Sequence, residues 1–138
     1  NQYIRAKQKT EQLLKLRELE NRLTEQQRFK PAYLHSKHTG KHYPLDLLKM
    51  MVGRANAPQP GFISLNGEPE ELVRSVSREE QATFLFEEGQ WKLIHSDKAT
   101  NRTYLNQTNL SANQKYVIED QSTIKFGRVE LEFRLGSA

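Results

Sequence analysis

The length and composition of the chain limit what it can be. Its 138 residues suit one domain with a hydrophobic core, but a hydrophobic content of 36% is low, so part of the chain should be solvated. Lys and Arg outnumber Asp and Glu by 21 to 17 without forming an aromatic and basic cluster, which argues against nucleic-acid binding. The absence of cysteine excludes disulfides and thiolate chemistry.

The hydropathy and the start of the chain give further expectations. No apolar run approaches the length of a membrane span, so we expect no direct membrane contact within this chain. A cytoplasmic, reducing location suits a chain without cysteine. Because the first residue is Asn1 and not Met, we expect the chain to be a fragment of a longer protein.

Residues 1–29 are predicted to be helical, because they lack Gly and Pro and consist mainly of good helix formers. Four leucines recur at helical spacing along one stripe: Leu13, Leu16, Leu19 and Leu23. The segment is either a short coiled coil that forms a homodimer, or a linker helix that docks on the neighbouring domain or frays. The leucines span too few heptads to decide. Pro31 ends the segment, which divides the chain into residues 1–29 and a domain of residues 30–138.

The domain after Pro31 is predicted to be all-β, because apolar and polar residues alternate with a period of two. The alternation is clearest at Trp91, Leu93 and His95 in "WKLIHS" and at Val129, Leu131, Phe133 and Leu135 in "RVELEFRL". "ATFLFEEGQWKLIHS" is typical of a hairpin that turns at Glu88-Gly89, and "LLKMMVGR", "KYVIED" and "STIKFG" add short strands. Short alternating strands joined by polar turns indicate an antiparallel sandwich or barrel.

The residue types of enzymes and metal sites occur here without the spacing that such sites need. His35, His38 and His42 lie in a predicted strand–turn–strand without a nearby carboxylate, so we expect no metal site. His95 lies in a strand and is expected to pack and not to catalyse. Ser77 has no His close in sequence, and no nucleophile elbow or P-loop is present. We therefore expect no enzymatic activity and no cofactor.

Three separated loop elements follow one another along the domain. They are Gly53-Arg54 at a strand end, Val76-Ser77-Arg78 expected to open the strand with Phe84 and Phe86, and Thr100-Asn101 within "TNRTYLN". Each alone is ordinary turn chemistry. In this order, and followed by "IKFG" and "VELEFRL", they resemble the signature of the forkhead-associated (FHA) domain, a phosphothreonine-binding module. The resemblance covers about residues 32–135 and implies a two-sheet antiparallel β-sandwich with its ligand-binding loops at one end.

The resemblance also implies a phosphopeptide-binding site. Arg54 would place its guanidinium on the phosphate, and Ser77 would donate its hydroxyl to a second phosphate oxygen. Asn101 would hold the backbone of the bound peptide with its amide. Thr103 and Asn106 are expected to brace their own loop. The full set expected to bind the phosphopeptide is Arg54, Ser77, Arg78, Thr100, Asn101 and Arg102.

Several departures from the family pattern bear on this site. The family commonly has a His three residues after the Ser, where it braces the loop from below, but in this sequence that position is Glu80. If an extra residue forms a bulge at the start of the strand, Gln81 takes the bracing role of the His. Glu79 and Glu80 bring negative charge close to the expected phosphate. Arg102 replaces a frequent Gly, which costs roughly 1–2 kcal/mol if the position needs a positive φ. The acidic segment 65–75 resembles an insertion that shields the site or contacts basic residues of a partner.

The leading interpretation is a signalling adaptor module that recognises phosphothreonine in a protein partner and performs no chemistry. The alternative is a divergent sandwich that acts as a phosphate-independent scaffold or dimerisation domain, with the N-terminal helix supplying the contact. By resemblance, selection of residues after the phosphothreonine would come from the loops around 55–76 and 97–103.

Overall fold

The computed structural model describes residues 10–18, 29–56 and 59–137. Residues 10–18 form a helix, α1, inside the segment that was predicted to be helical. Leu13, Leu14 and Leu16 are each more than half exposed, so α1 buries none of them. The other two leucines of the stripe, Leu19 and Leu23, lie outside the described residues. Among the described helices, none combines the length and hydrophobicity that crossing a bilayer requires.

The domain consists of two sheets. One contains β1 Ala32–Ser36, β2 His42–Leu45, β7 Thr103–Leu105, β8 Thr108–Asn109, β10 Thr123–Phe126 and β11 Val129–Leu135, in the order β2-β1-β11-β10-β7-β8. The other contains β3 Lys49–Gly53, β4 Phe62–Ser64, β5 Ala82–Glu87, β6 Gln90–His95 and β9 Lys115–Val117, in the order β4-β3-β5-β6-β9. A short helix, α2, spans Glu70–Val73. Of the paired strands, β3 and β4 are parallel and the others antiparallel. The predicted β-sandwich with a preceding helix is confirmed.

The strand register confirms the predicted hairpins. β5 and β6 pair from Ala82 with His95 to Glu87 with Gln90, so the chain turns at Glu88-Gly89. The two turn residues have φ angles of 56° and 73°, and positive φ at both positions is what a type I′ hairpin turn requires. The predicted strand–turn–strand at residues 33–44 is the β1–β2 hairpin.

The inner faces of the two sheets share one hydrophobic core. Its largest fully buried side chains include Trp91, Phe84, Phe126 and Phe133. The Trp91 indole N–H donates to the carbonyl oxygen of Lys30 at 2.8 Å, which fixes the start of the domain against the core. The alternation of β11 buries Val129, Leu131 and Phe133 as predicted. Leu135, the last apolar residue of this alternation, is 45% exposed and ends the strand beyond the core.

The acidic segment 65–75 takes part in the packing of the domain. Glu68 is only 4% exposed. Its carboxylate accepts hydrogen bonds from three hydroxyl groups, those of Ser36, Thr39 (3.0 Å) and Tyr43 (2.6 Å). Burial and the hydrogen bond to Glu68 raise the pKa of the Tyr43 phenol. We call these four residues the Glu68 cluster. The cluster ties Glu68 to the β1–β2 hairpin, so this carboxylate is satisfied inside the domain. Shielding of the site by the segment, or its contact with a partner, stays a prediction.

Candidate functional site

Three loops meet at one end of the sandwich and form an open groove of about 660 Å³. They are the β3–β4 loop, the loop from α2 to β5, and the β6–β7 loop; Ala82 pairs with both Val52 and His95, which brings the three together. The groove is lined by Met51, Arg54, Arg74, Ser75, Val76, Ser77, Arg78, Glu79, Glu80, Lys98, Thr100 and Asn101. Five of the six residues predicted for the site therefore line one groove, and Arg102 is not among its lining residues.

Gly53 allows Arg54 to approach the neighbouring loop. A Cβ at position 53 would lie 2.5 Å from the carbonyl oxygen of Arg78, so the close contact requires glycine. The backbone N–H of Arg54 donates to the same oxygen at 3.0 Å. The exposed Arg54 side chain donates from Nε to the carbonyl oxygen of Val76 at 2.9 Å. This bond orients the guanidinium, and its two terminal nitrogens have no partner among the described residues.

Ser77 and Asn101 connect the loops across the groove. The Thr100 N–H donates to Ser77 Oγ at 2.9 Å, and Asn101 Nδ2 donates to the carbonyl oxygen of Ser75 at 2.8 Å. Ser77 Oγ donates to no other group in the described part of the chain, so its hydroxyl hydrogen is available to a ligand. Asn101 retains its second amide hydrogen and its carbonyl oxygen for the same purpose.

Gln81 holds these loops from below with one fully buried amide. Its Oε1 accepts from the Ser77 N–H at 2.9 Å, and its Nε2 donates to the carbonyl oxygen of Asn101 and to Thr103 Oγ1, both at 3.1 Å. Gln81, and not Glu80, is the residue beneath the loop. The regular strand β5 begins only at Ala82, so Ser77-Arg78 does not open the strand as predicted.

A buried hydrogen bond extends this network into the core. Thr103 is fully buried, and its Oγ1 lies 2.8 Å from Nδ1 of His95. Burial lowers the pKa of His95, which favours a neutral imidazole that accepts the Thr103 hydroxyl hydrogen. Asn106, at φ 49°, accepts the Thr123 N–H at 2.8 Å. Thr103 and Asn106 therefore brace their loop, as predicted, and His95 packs beneath it.

The sequence matches the family model of the FHA domain over residues 51–127, which is more than half of the chain. The chain belongs to the FHA domain family. The resemblance read from the loop motifs is thereby confirmed.

Solved FHA structures share this fold at low sequence identity. The domain is similar to EmbR of Mycobacterium tuberculosis in complex with a low-affinity phosphopeptide, with a TM-score of 0.63 and 19% identity over 78% of this chain and 25% of that chain. An FHA domain of an Arabidopsis thaliana hypothetical protein gives a TM-score of 0.64 and 16% identity over 80% and 90% of the two chains. The FHA domain of the CT664 protein from Chlamydia trachomatis gives a TM-score of 0.59 and 15% identity over 80% of this chain and 100% of that chain. At these identities the likeness shows the fold alone. No curated protein matches the sequence significantly.

The groove of this FHA domain has an excess of positive charge. Its lining contains four cations, Arg54, Arg74, Arg78 and Lys98, and two acids, Glu79 and Glu80, which leaves a net charge of +2. Glu80 pairs with Lys98 at 3.6 Å, and Glu79 is exposed at the surface. The two acids predicted to disturb the site thus reduce its positive charge without reversing it.

Arg102 replaces the frequent family glycine without backbone strain. It is not among the described non-glycine residues with positive φ, so the expected cost does not arise. Its carbonyl oxygen accepts the Gly127 N–H at 2.9 Å, which joins the β6–β7 loop to the β10–β11 turn. The contact of its side chain with a phosphate stays a prediction.

The sequence analysis gave no role in the site to five of the lining residues: Met51, Arg74, Ser75, Val76 and Lys98. One signal for Ser75 was available in "IKFG". A Cβ on Gly127, at φ 57°, would lie 2.5 Å from Ser75 Oγ, and that oxygen accepts the Arg128 N–H at 2.7 Å. Gly127, directly after strand β10, therefore indicated a close contact between two loops, but the sequence did not show that Ser75 is the residue it contacts.

Proposed function

We propose that this FHA domain is a signalling adaptor module that binds a phosphothreonine-containing segment of a partner protein and performs no chemistry on it. The observation that supports this most strongly is the unused hydrogen-bonding capacity of the groove. The Arg54 guanidinium, the Ser77 hydroxyl and the Asn101 amide are each fixed by one bond to a loop and retain further donors. Groups fixed in this way lose little conformational entropy when a ligand binds.

The chemistry of phosphothreonine fits this arrangement. A phosphorylated threonine has a charge of about −1.5 to −2 and three acceptor oxygens. Arg54 would meet these oxygens with charge-assisted hydrogen bonds, which are stronger than neutral ones, and Ser77 would donate to one of them. Arg78 and Thr100 stand at the same groove, whose net charge of +2 would attract a dianion.

The first test is the substitution Arg54→Ala. Loss of charge-assisted hydrogen bonds should weaken binding of a phosphothreonine peptide by about 1.5–3 kcal/mol, or roughly 10- to 150-fold, while the melting temperature stays unchanged because the side chain is exposed. Peptides selected from a phosphothreonine library would be measured by fluorescence anisotropy. Lys49→Ala is the matched control, since it removes one exposed positive charge from the other end of β3.

Two results would contradict the proposal. One is full retention of binding in Arg54→Ala. The other is equal capture of the same peptides without phosphate, which would favour the scaffold function.

A second candidate function is dimerisation through the N-terminal helix, because Leu13, Leu14 and Leu16 of α1 are more than half exposed. This contact would be independent of the groove. The full chain and a Leu13→Ser/Leu16→Ser variant would be compared by analytical ultracentrifugation. A dimer mass that the substitutions abolish supports dimerisation; a monomer mass in both refutes it.

A further inference from the structure

The outer face of the five-stranded sheet has an apolar strip that leads away from the groove. Strand alternation turns Met50, Val52, Phe84, Phe86 and Leu93 into the core, and it turns their neighbours outwards. Five outward residues are apolar: Phe62, Met51, Leu85, Ile94 and Val117. We call them the apolar strip. The first four are partly exposed, and Val117 is 47% exposed.

The strand register places these residues next to one another. Phe62 pairs with Met51, Met51 with Thr83, and Thr83 with Ile94, which makes one row across four strands. Leu85 and Val117 lie on the next row, on either side of Lys92. The ammonium of Lys92 turns to Glu87 and Glu88, so its methylene stem extends the strip.

Both outer faces of the sandwich have ion pairs. On the six-stranded sheet Lys37 pairs with Glu130, and Arg134 pairs with Glu132 of the same strand. On the five-stranded sheet Glu87 pairs with Lys92 and with Lys115 beside the strip. Single exposed apolar residues are normal on any protein, but a contiguous set on one face marks an interaction site.

Met51 and Phe62 connect the strip with the groove. Met51 lines the groove beside Arg54, and it also lines an adjoining cavity of about 310 Å³ with Ala55, Gln59, Phe62 and Glu79. The aromatic ring of Phe62 lies 3.0 Å from the Cβ position of Gly53, next to the Arg54 backbone. A chain segment leaving the groove on this side therefore meets apolar side chains at once.

We propose that the apolar strip binds bulky apolar side chains of the same phosphorylated partner, away from its phosphothreonine. This inference rests on the proposed function and extends it from a phosphate site to a longer docking surface. Continuity with the groove selects the partner as the occupant. The leucines of α1 do not occupy the apolar strip, because they are exposed in the structure.

The dimensions define where the apolar residues of the partner should lie. Met51 is two residues from Gly53, or about 7 Å along the strand, and Ile94 is two strands further, or roughly 10 Å. An extended segment that starts from the phosphate reaches Met51 after about two residues and Ile94 after about five.

The test uses the full chain and a library of peptides of about 25 residues with a fixed central phosphothreonine. We expect selection of Leu, Ile, Met or Phe about two to five residues from the phosphothreonine on one side only. Replacing these residues by Ser in a selected peptide should weaken binding roughly tenfold. Leu85→Glu and Ile94→Glu should abolish that tenfold difference and leave the affinity for a short phosphothreonine peptide within about twofold of the original. Thr123→Glu, on the outer face of the other sheet, is the matched control and should change neither.

Each other result overturns the inference. Phosphorylation-dependent binding without apolar selection, or apolar selection that survives Leu85→Glu, refutes it and leaves the proposed function intact. If apolar selection appears only in the Leu13→Ser/Leu16→Ser variant, the apolar strip is covered by the chain's own helix α1. If Leu85→Glu dissociates a dimer, the strip binds a second copy of the chain. Loss of all phosphorylation dependence refutes the proposed function as well. Leu85→Ser replaces Leu85→Glu if the charge prevents folding, as judged by the melting transition.

Discussion

The Glu68 cluster and the groove both concentrate charged and hydroxyl side chains, but they use them differently. In the Glu68 cluster one buried carboxylate receives hydrogen bonds from three hydroxyl groups, so its charge is satisfied inside the protein. In the groove Arg54 and Ser77 are held by one bond each and retain unused donors. Polar residues alone therefore do not mark a binding site. We propose that fixed groups with unfilled hydrogen-bonding capacity do.

This contrast gives predictions that separate stability from binding, and the largest effect is expected at Glu68. Glu68→Ala should lower the free energy of unfolding by about 3 kcal/mol, because it leaves three hydroxyl groups without their acceptor. Phosphothreonine-peptide affinity, measured where the variant is still folded, should change little. Glu71→Ala removes an exposed carboxylate from the same segment and should have almost no effect on urea denaturation. A fully stable Glu68→Ala domain would contradict the structural role of the cluster.

Gln81→Leu should affect both properties. The apolar side chain leaves the Ser77 N–H and the Asn101 carbonyl unpaired beneath the loops, which should cost about 2 kcal/mol of stability. The loosened loops should also weaken phosphothreonine-peptide binding about tenfold. Denaturation and anisotropy would be measured on the same samples, with the exposed Gln90→Leu as the control. Weakened stability with unchanged affinity would mean that Gln81 supports the fold without positioning the site.

Ser77→Ala should affect binding alone. It removes the hydroxyl that we propose as a donor to the phosphate and one acceptor for the Thr100 N–H, so the affinity should fall by about 1 kcal/mol, or roughly fivefold. The melting temperature should stay almost constant, since the loop is partly exposed. Ser111→Ala changes an exposed serine elsewhere and serves as the reference. Unchanged affinity would remove Ser77 from the site.

The smallest effect is a pH dependence of stability that arises from His95. Burial lowers its pKa below the ordinary value of 6.5, so the unfolded state takes up a proton first as the pH falls. The contribution of His95 is complete above pH 6.5 and is lost as the pH falls through its folded pKa. Urea denaturation between neutral and mildly acidic pH should therefore show declining stability, and His95→Gln should flatten the slope. A steeper slope in His95→Gln would contradict this assignment.

The sequence was sufficient for the parts of the fold that local chemistry determines. The alternation in β6 and β11 and the turn at Glu88-Gly89 follow from periodicity and turn preference. The loop motifs identified five groove residues through the family resemblance. Burial at strand ends depends on what lies across the fold, so the alternation alone does not show that Leu135 is exposed. The burial of Glu68 depends on hydrogen bonds from hydroxyl groups about thirty residues away in sequence, and no local pattern shows such partners.

The most direct test of the central claim is an NMR titration of the full, isotope-labelled chain with a degenerate phosphothreonine peptide library and with the same library lacking phosphate. We predict saturable shifts of the backbone amide signals of Arg54, Ser77, Thr100 and Asn101 with the phosphorylated library only. Equal shifts with both libraries, or phosphate-dependent shifts that leave these four amides unchanged, would contradict it.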